Sequence, residues 1–155
     1  MSARSRISCP RAALFAALLG ASGAALAQVT VTDPWVRGTV AGQRATGAFM
    51  TLTAASATTL VGAASPVAKI VEIHEMAMDG GVAKMRAVQR VDLPAGKPVA
   101  LKPGGYHVML MALQQPLKEG ESVRIALTFQ GQDGKRTTTE IAAPVRGLAE
   151  SAQTR

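Results

Sequence analysis

A chain of 155 residues with 17 basic and 10 acidic side chains carries a formal charge of +7, and it has a single cysteine. Three of the bases and that cysteine fall within the first 27 residues, which read as an export leader. The remaining 128 residues are enough for one domain, carry +4 and offer neither a disulfide nor a thiolate metal ligand. With four aromatics among scattered bases this portion offers no stacking platform, so no nucleic-acid partner is expected and the charge reads as a solvated face.

In chain order, Arg4, Arg6 and Arg11 precede an Ala-rich apolar stretch from Ala12 to Ala27 that ends Ala25-Leu26-Ala27. This is the pattern of a cleavable signal peptide, with cleavage expected after Ala27. The stretch is short and diluted by Ala and Gly, so no stable membrane insertion is expected after cleavage. Cys9 precedes the apolar run, which argues against a lipid-anchored cysteine.

From residue 28 to 145 short apolar or alternating runs are separated by Gly, Pro, Asp and Ser clusters, with no 3.6-residue stripe. That pattern is all-β. Strands are expected at Val29 to Thr32, Gly47 to Thr53, Thr59 to Ala64, Val67 to Met78, Val82 to Val88, Val99 to Leu101, His107 to Leu113, Ser122 to Gln130 and Thr137 to Ala142. The last two form the clearest hairpin, because Val123, Ile125, Leu127 and Phe129 alternate with smaller or polar residues. About seven to nine strands in one domain imply a Greek-key sandwich or barrel. Residues 146–155 are polar, lack a period and are expected to fray.

The portion beyond residue 27 contains two histidines and six methionines, and five of those methionines lie in two short segments with the histidines. One segment runs from His74 through Met76 and Met78 to Met85; the other holds His107, Met109 and Met111. Strand alternation puts His74, Met76 and Met78 on one face, and His107, Met109 and Met111 on one face of theirs. A type I′ turn at Asp79-Gly80 would pair His74 with Met85; a turn at Gly80-Gly81 would pair Met76 with Met85 and His74 with Ala87. Both registers offer an ion pair, Glu75 with Lys84 in the first and with Arg86 in the second. Glu72, Glu75 and Asp79 read as solvated edge and turn residues.

Thioether and imidazole donors suit the soft monovalent ions copper(I) and silver(I), whereas zinc and magnesium recruit thiolates or carboxylates. A soft site without cysteine also suits an oxidising compartment. Because neither donor is charged, the ion is not trapped by paired anions, as befits a site that holds and hands over. Methionines on alternate strand positions are ordinarily core filler. Their gathering around both histidines is what sets these apart.

The spacing His74, ten residues, Met85, twenty-one residues, His107, one residue, Met109 resembles the H(M)-x10-M-x21-H-x-M signature of the periplasmic copper chaperone family written PCu(A)C. The stretches Val71 to Met76 and Pro103 to Leu110 look like that family too. The resemblance implies a cupredoxin-like β-barrel that binds one copper(I) per chain through His74, Met85, His107 and Met109. It further implies a periplasmic, monomeric carrier whose partner is a copper acceptor protein, a cytochrome oxidase subunit or its assembly factors. Met76 lies outside the signature and stands as an accessory donor. Some relatives have a His- and Met-rich C-terminal tail with extra copper sites; residues 146–155 contain neither residue type.

A copper buffer or resistance protein without a dedicated acceptor would share the same ligands. An electron carrier of the blue-copper kind needs a thiolate, which this portion of the chain lacks. No serine or carboxylate constellation surrounds the histidines, so no enzyme activity is expected.

Overall fold

The computed structural model describes residues 29–147, and among them every regular element is a strand. The expected leader with its cleavage point, and residues 148–155 of the expected tail, lie outside the described residues. The strands are β1 (Val29–Arg37), β2 (Ala45–Ala54), β3 (Thr58–Ala64), β4 (Ala68–Asp79), β5 (Val82–Val88), β6 (Val91–Leu93), β7 (Pro98–Leu101), β8 (Tyr106–Leu113), β9 (Ser122–Gly131) and β10 (Arg136–Arg146). They pair in the order β5-β4-β8-β2-β1-β10-β9-β3-β6, with β7 also on β2.

β1 joins two half-sheets, running antiparallel to β2 and, at Val36 and Arg37, parallel to β10. One core cluster draws on both halves: Met50, Leu52, Ile73, Val108 and Leu110 from one, Leu60, Ile125, Leu127 and Phe129 from the other. The all-β expectation therefore holds, with ten strands where seven to nine were expected. The additional one is β6, three residues that pair with β3 and bury Val91 and Leu93. Three residues are too few for a period of two to be read. β10 extends through Arg146, because Pro144 and Val145 stay within reach of β9 and β1.

A bulge in β1 decides what lies on the outside of the site-bearing half-sheet. The register shifts between Thr32 and Trp35, where Asp33 is left-handed at φ 48° and Pro34 has no N–H to offer the ladder. One inserted residue reverses the facing of everything after it. Val29 and Val31 face the core before the bulge, as does Val36 after it, so Trp35 and Arg37 face outward.

Candidate metal centre

Ile73, Val108 and Leu110 point into the core, so strand alternation sends His74, His107 and Met109 to the outer face. There the β4–β8 ladder sets His74 directly opposite His107, and the β2–β8 ladder sets Met109 opposite Gly47. On the β4–β5 hairpin Met76 opposes Met85, and His74 opposes Ala87. Of the two possible registers the chain adopts the one that turns at Gly80-Gly81, with φ of 58° and 82°. A type I′ turn needs positive φ at both central residues, and two glycines meet that without a Cβ clash that Asp79 would suffer. The exposed Glu75–Arg86 pair, 2.6 Å apart, closes the same register.

Met76, Met85, His107 and Met109 line one open cavity of about 500 Å³, whose wall also includes Arg37 and Phe49. His74 does not line it. Its ring stands edge-on to that of His107 with centroids 5.9 Å apart, so it adjoins the cavity through its partner. Met85 is 46% exposed and Met78 lies out at the hairpin tip, away from the cavity. Among the described residues no group of three or more His, Cys, Asp or Glu side chains is placed to hold a metal ion.

Both imidazoles have their tautomers fixed from behind. His107 Nδ1 lies 3.0 Å from the carbonyl oxygen of Gly105, which can only accept, so Nδ1 carries the proton and Nε2 keeps its lone pair. His74 Nε2 donates to the Glu72 carboxylate at 2.9 Å, which leaves Nδ1 as the lone-pair nitrogen. That Nδ1 is buried and has no hydrogen-bond partner among the described residues. A buried acceptor without a partner is costly, and a metal ion would satisfy it. Glu72 is exposed, as expected from the sequence, and it has a second role that the sequence reading did not assign. Standing two residues from His74, it shares its face and orients its ring, the usual arrangement behind a metal-binding histidine.

His107 is only 4% exposed, and burial holds it below the ordinary histidine value; a hydrogen bond to Gly105 opposes this, while His74 and Arg37 add to it. A neutral imidazole is the form that binds metal. Behind it lies an aromatic row that sequence reasoning missed. Phe49 sits 6.1 Å from His107, and Trp35 sits 4.5 Å from Phe49, centroid to centroid. Arg146 lies over Trp35 and Arg37 over Phe49. The signal available was Asp33-Pro34, a dipeptide that interrupts a strand and re-aims the side chains beyond it.

Residues 29–145 match the family described as "Putative lipoprotein LpqE-like". A curated relative, the putative lipoprotein Lxx21020 of Leifsonia xyli subsp. xyli (strain CTCB07), is 34% identical over 122 residues, spanning 78% of this chain and 71% of the relative. The solution structure of apo-DR1885 from Deinococcus radiodurans is 36% identical, with a TM-score of 0.59, covering 97% of this chain and 99% of that one. The CuI-DR1885 structure is 38% identical at a TM-score of 0.58, over 81% and 83% of the two chains. The apo PCuAC domain from PmoF1, at 21% identity, shares the fold with a TM-score of 0.60 over 77% of this chain and 93% of that domain.

Proposed function

This chain belongs to the LpqE-like family, and on that premise we propose that it is an exported, monomeric copper(I) carrier of the periplasm. It holds one ion through His74 Nδ1, His107 Nε2 and the sulfurs of Met85 and Met109, with Met76 as an accessory donor. The observation that carries this is the fixed tautomer pair: two imidazoles opposed across β4 and β8 each keep a lone pair, beside a cavity lined by three thioethers. Support also comes from the 38% identity to a protein solved with copper(I) bound. The donors are soft and uncharged, which matches a monovalent coinage metal and rejects hard ions.

Release depends on where the donors sit. Met85 lies on the edge strand β5 and is half exposed, so an incoming thiolate or thioether can displace it before the buried His107 lets go. The recipient is a copper acceptor of cytochrome oxidase assembly, reached by ligand exchange rather than by release into water.

X-ray absorption on the copper(I)-loaded protein tests the ligand set. A mixed sulfur and nitrogen shell that loses one nitrogen in His107→Ala is expected; a shell unchanged in that variant would refute it. Incubating the loaded protein with an apo acceptor then separates the two roles. Transfer marks a carrier, and full retention of copper marks a buffer.

A further inference from the structure

Arg37 is a cation in the wall of the donor cavity, and neither holding nor releasing the ion requires it. Its guanidinium carbon lies 5.5 Å from the centre of the Phe49 ring. Its Nε is buried without a hydrogen-bond partner, and among the described residues no carboxylate pairs with it. By contrast, Arg146 is neutralised by Asp33 and Arg86 by Glu75.

We propose that Arg37 sets the oxidation-state preference of the site: its unpaired charge, held against Phe49 in the cavity wall, disfavours a divalent ion relative to a monovalent one. The proposal rests on the copper(I) reading of this cavity. A fixed positive charge repels copper(II) twice as strongly as copper(I), so it widens the gap between the two affinities even where it weakens both. The two ring distances of 5.5 and 6.1 Å place the guanidinium within about 12 Å of the His107 ring. Taking about 12 Å as the guanidinium-to-ion separation and an effective permittivity of about 20, one extra unit of charge on the ion corresponds to about tenfold in affinity. Glu72 brings the opposite charge to the far side of His74, but its side chain is 46% exposed and water screens it. Uncharged thioethers already prefer copper(I). Arg37 adds a preference that does not depend on donor type.

The test uses the exported protein and three variants, Arg37→Gln, Arg37→Met and Arg37→Lys. Copper(I) affinity is read by competition with a chromophoric copper(I) chelator, and copper(II) affinity by competition with glycine. Arg37→Gln and Arg37→Met are expected to shift the affinity ratio about tenfold toward copper(II), equivalent to a potential lower by about 59 mV for a one-electron couple. Arg37→Lys keeps the charge and is expected to keep the ratio. A ratio unchanged in both neutral variants would overturn the proposal, and so would a Lys variant that shifts as far as Gln, since packing on Phe49 would then be the cause. Wild-type protein that fails to bind copper(I) at all would instead sink the copper reading on which this one stands.

Discussion

Gly47 is the position where a single methyl group tests the architecture of the site. It lies in β2 opposite Met109, and its φ is not left-handed, so alanine meets no backbone strain there. Replacing a strand glycine with alanine would by itself stabilise by about 0.5–1 kcal/mol through reduced unfolded-state entropy. A Cβ at this position, however, would stand 2.7 Å from Phe49 Cζ and 3.2 Å from Cε2, where ordinary contact begins at 3.4 Å. The ring tip must retreat by about 0.7 Å, and it is boxed in by Trp35 and Arg37 and faces His107. Overpacking of this kind costs about 1–3 kcal/mol. The net for Gly47→Ala is a loss of up to about 2.5 kcal/mol, centred on about 1 kcal/mol or roughly 4 °C in Tm for a domain of this size. Thermal unfolding of the apo protein measures it, and copper(I) affinity should fall as well, because the displaced ring presses on His107. A second substitution, Phe49→Leu, removes the clash and should make Gly47→Ala neutral or favourable in that background. An apo Tm equal to or above wild type in the single variant would refute the boxed-ring account.

Two further outcomes are expected. Glu72→Ala leaves His74 free to rotate and to change tautomer, so copper(I) affinity should drop about 10–100-fold while the Tm barely moves, as befits a half-exposed side chain; an unchanged affinity would strip Glu72 of its orienting role. For acidification the sign is set by His107, whose folded pKa lies below its unfolded one, chiefly through burial. Between the unfolded value of about 6.5 and the lower folded one the unfolded chain binds more protons, so the contribution of His107 to apo stability is fully present above about pH 6.5 and is lost as pH falls through the folded value. Apo Tm should therefore decline from pH 7 downward, and a His107 resonance titrating above 6.5 by NMR would contradict this.

The gathering of His74, Met76, Met85, His107 and Met109 on one side of the sheet was legible because their types are rare in the chain and cluster at strand spacing, and because alternation alone assigns each cluster to one face. The register of the β4–β5 hairpin was not legible, since Asp79-Gly80 and Gly80-Gly81 are both good turns and Glu75 finds a cation either way. What decided it was the conformational freedom of two adjacent glycines. Glu72 does face water, as a strand-edge carboxylate ordinarily does; what was not read was its hydrogen bond with His74, for which its position two residues earlier, on the same face, was the clue. The aromatic row was beyond reach for a different reason. With strict alternation Trp35 would have followed Val29 and Val31 into the core, and only the bulge at Asp33-Pro34 reverses it.

The separation of the donor face from the core has a consequence that can be measured directly. None of Met76, Met85 and Met109 belongs to the core cluster, whose apolar contacts hold the two half-sheets together. Leucine conserves most of methionine's volume and usually costs less than about 1.5 kcal/mol even when buried. At Met85, 46% exposed on the edge strand, the cost should be near the bottom of that range. Copper(I) binding should respond in the opposite proportion, because removing a ligand must cost more than removing the group that orients one, hence more than about 100-fold in Met85→Leu and in Met109→Leu. Met76→Leu, which takes away an accessory donor directly across the hairpin, should lose less. Chelator competition and thermal unfolding on the same three proteins give both numbers. If Met76→Leu lost more affinity than Met85→Leu, the ion would be held by the other sulfur of that cross-strand pair.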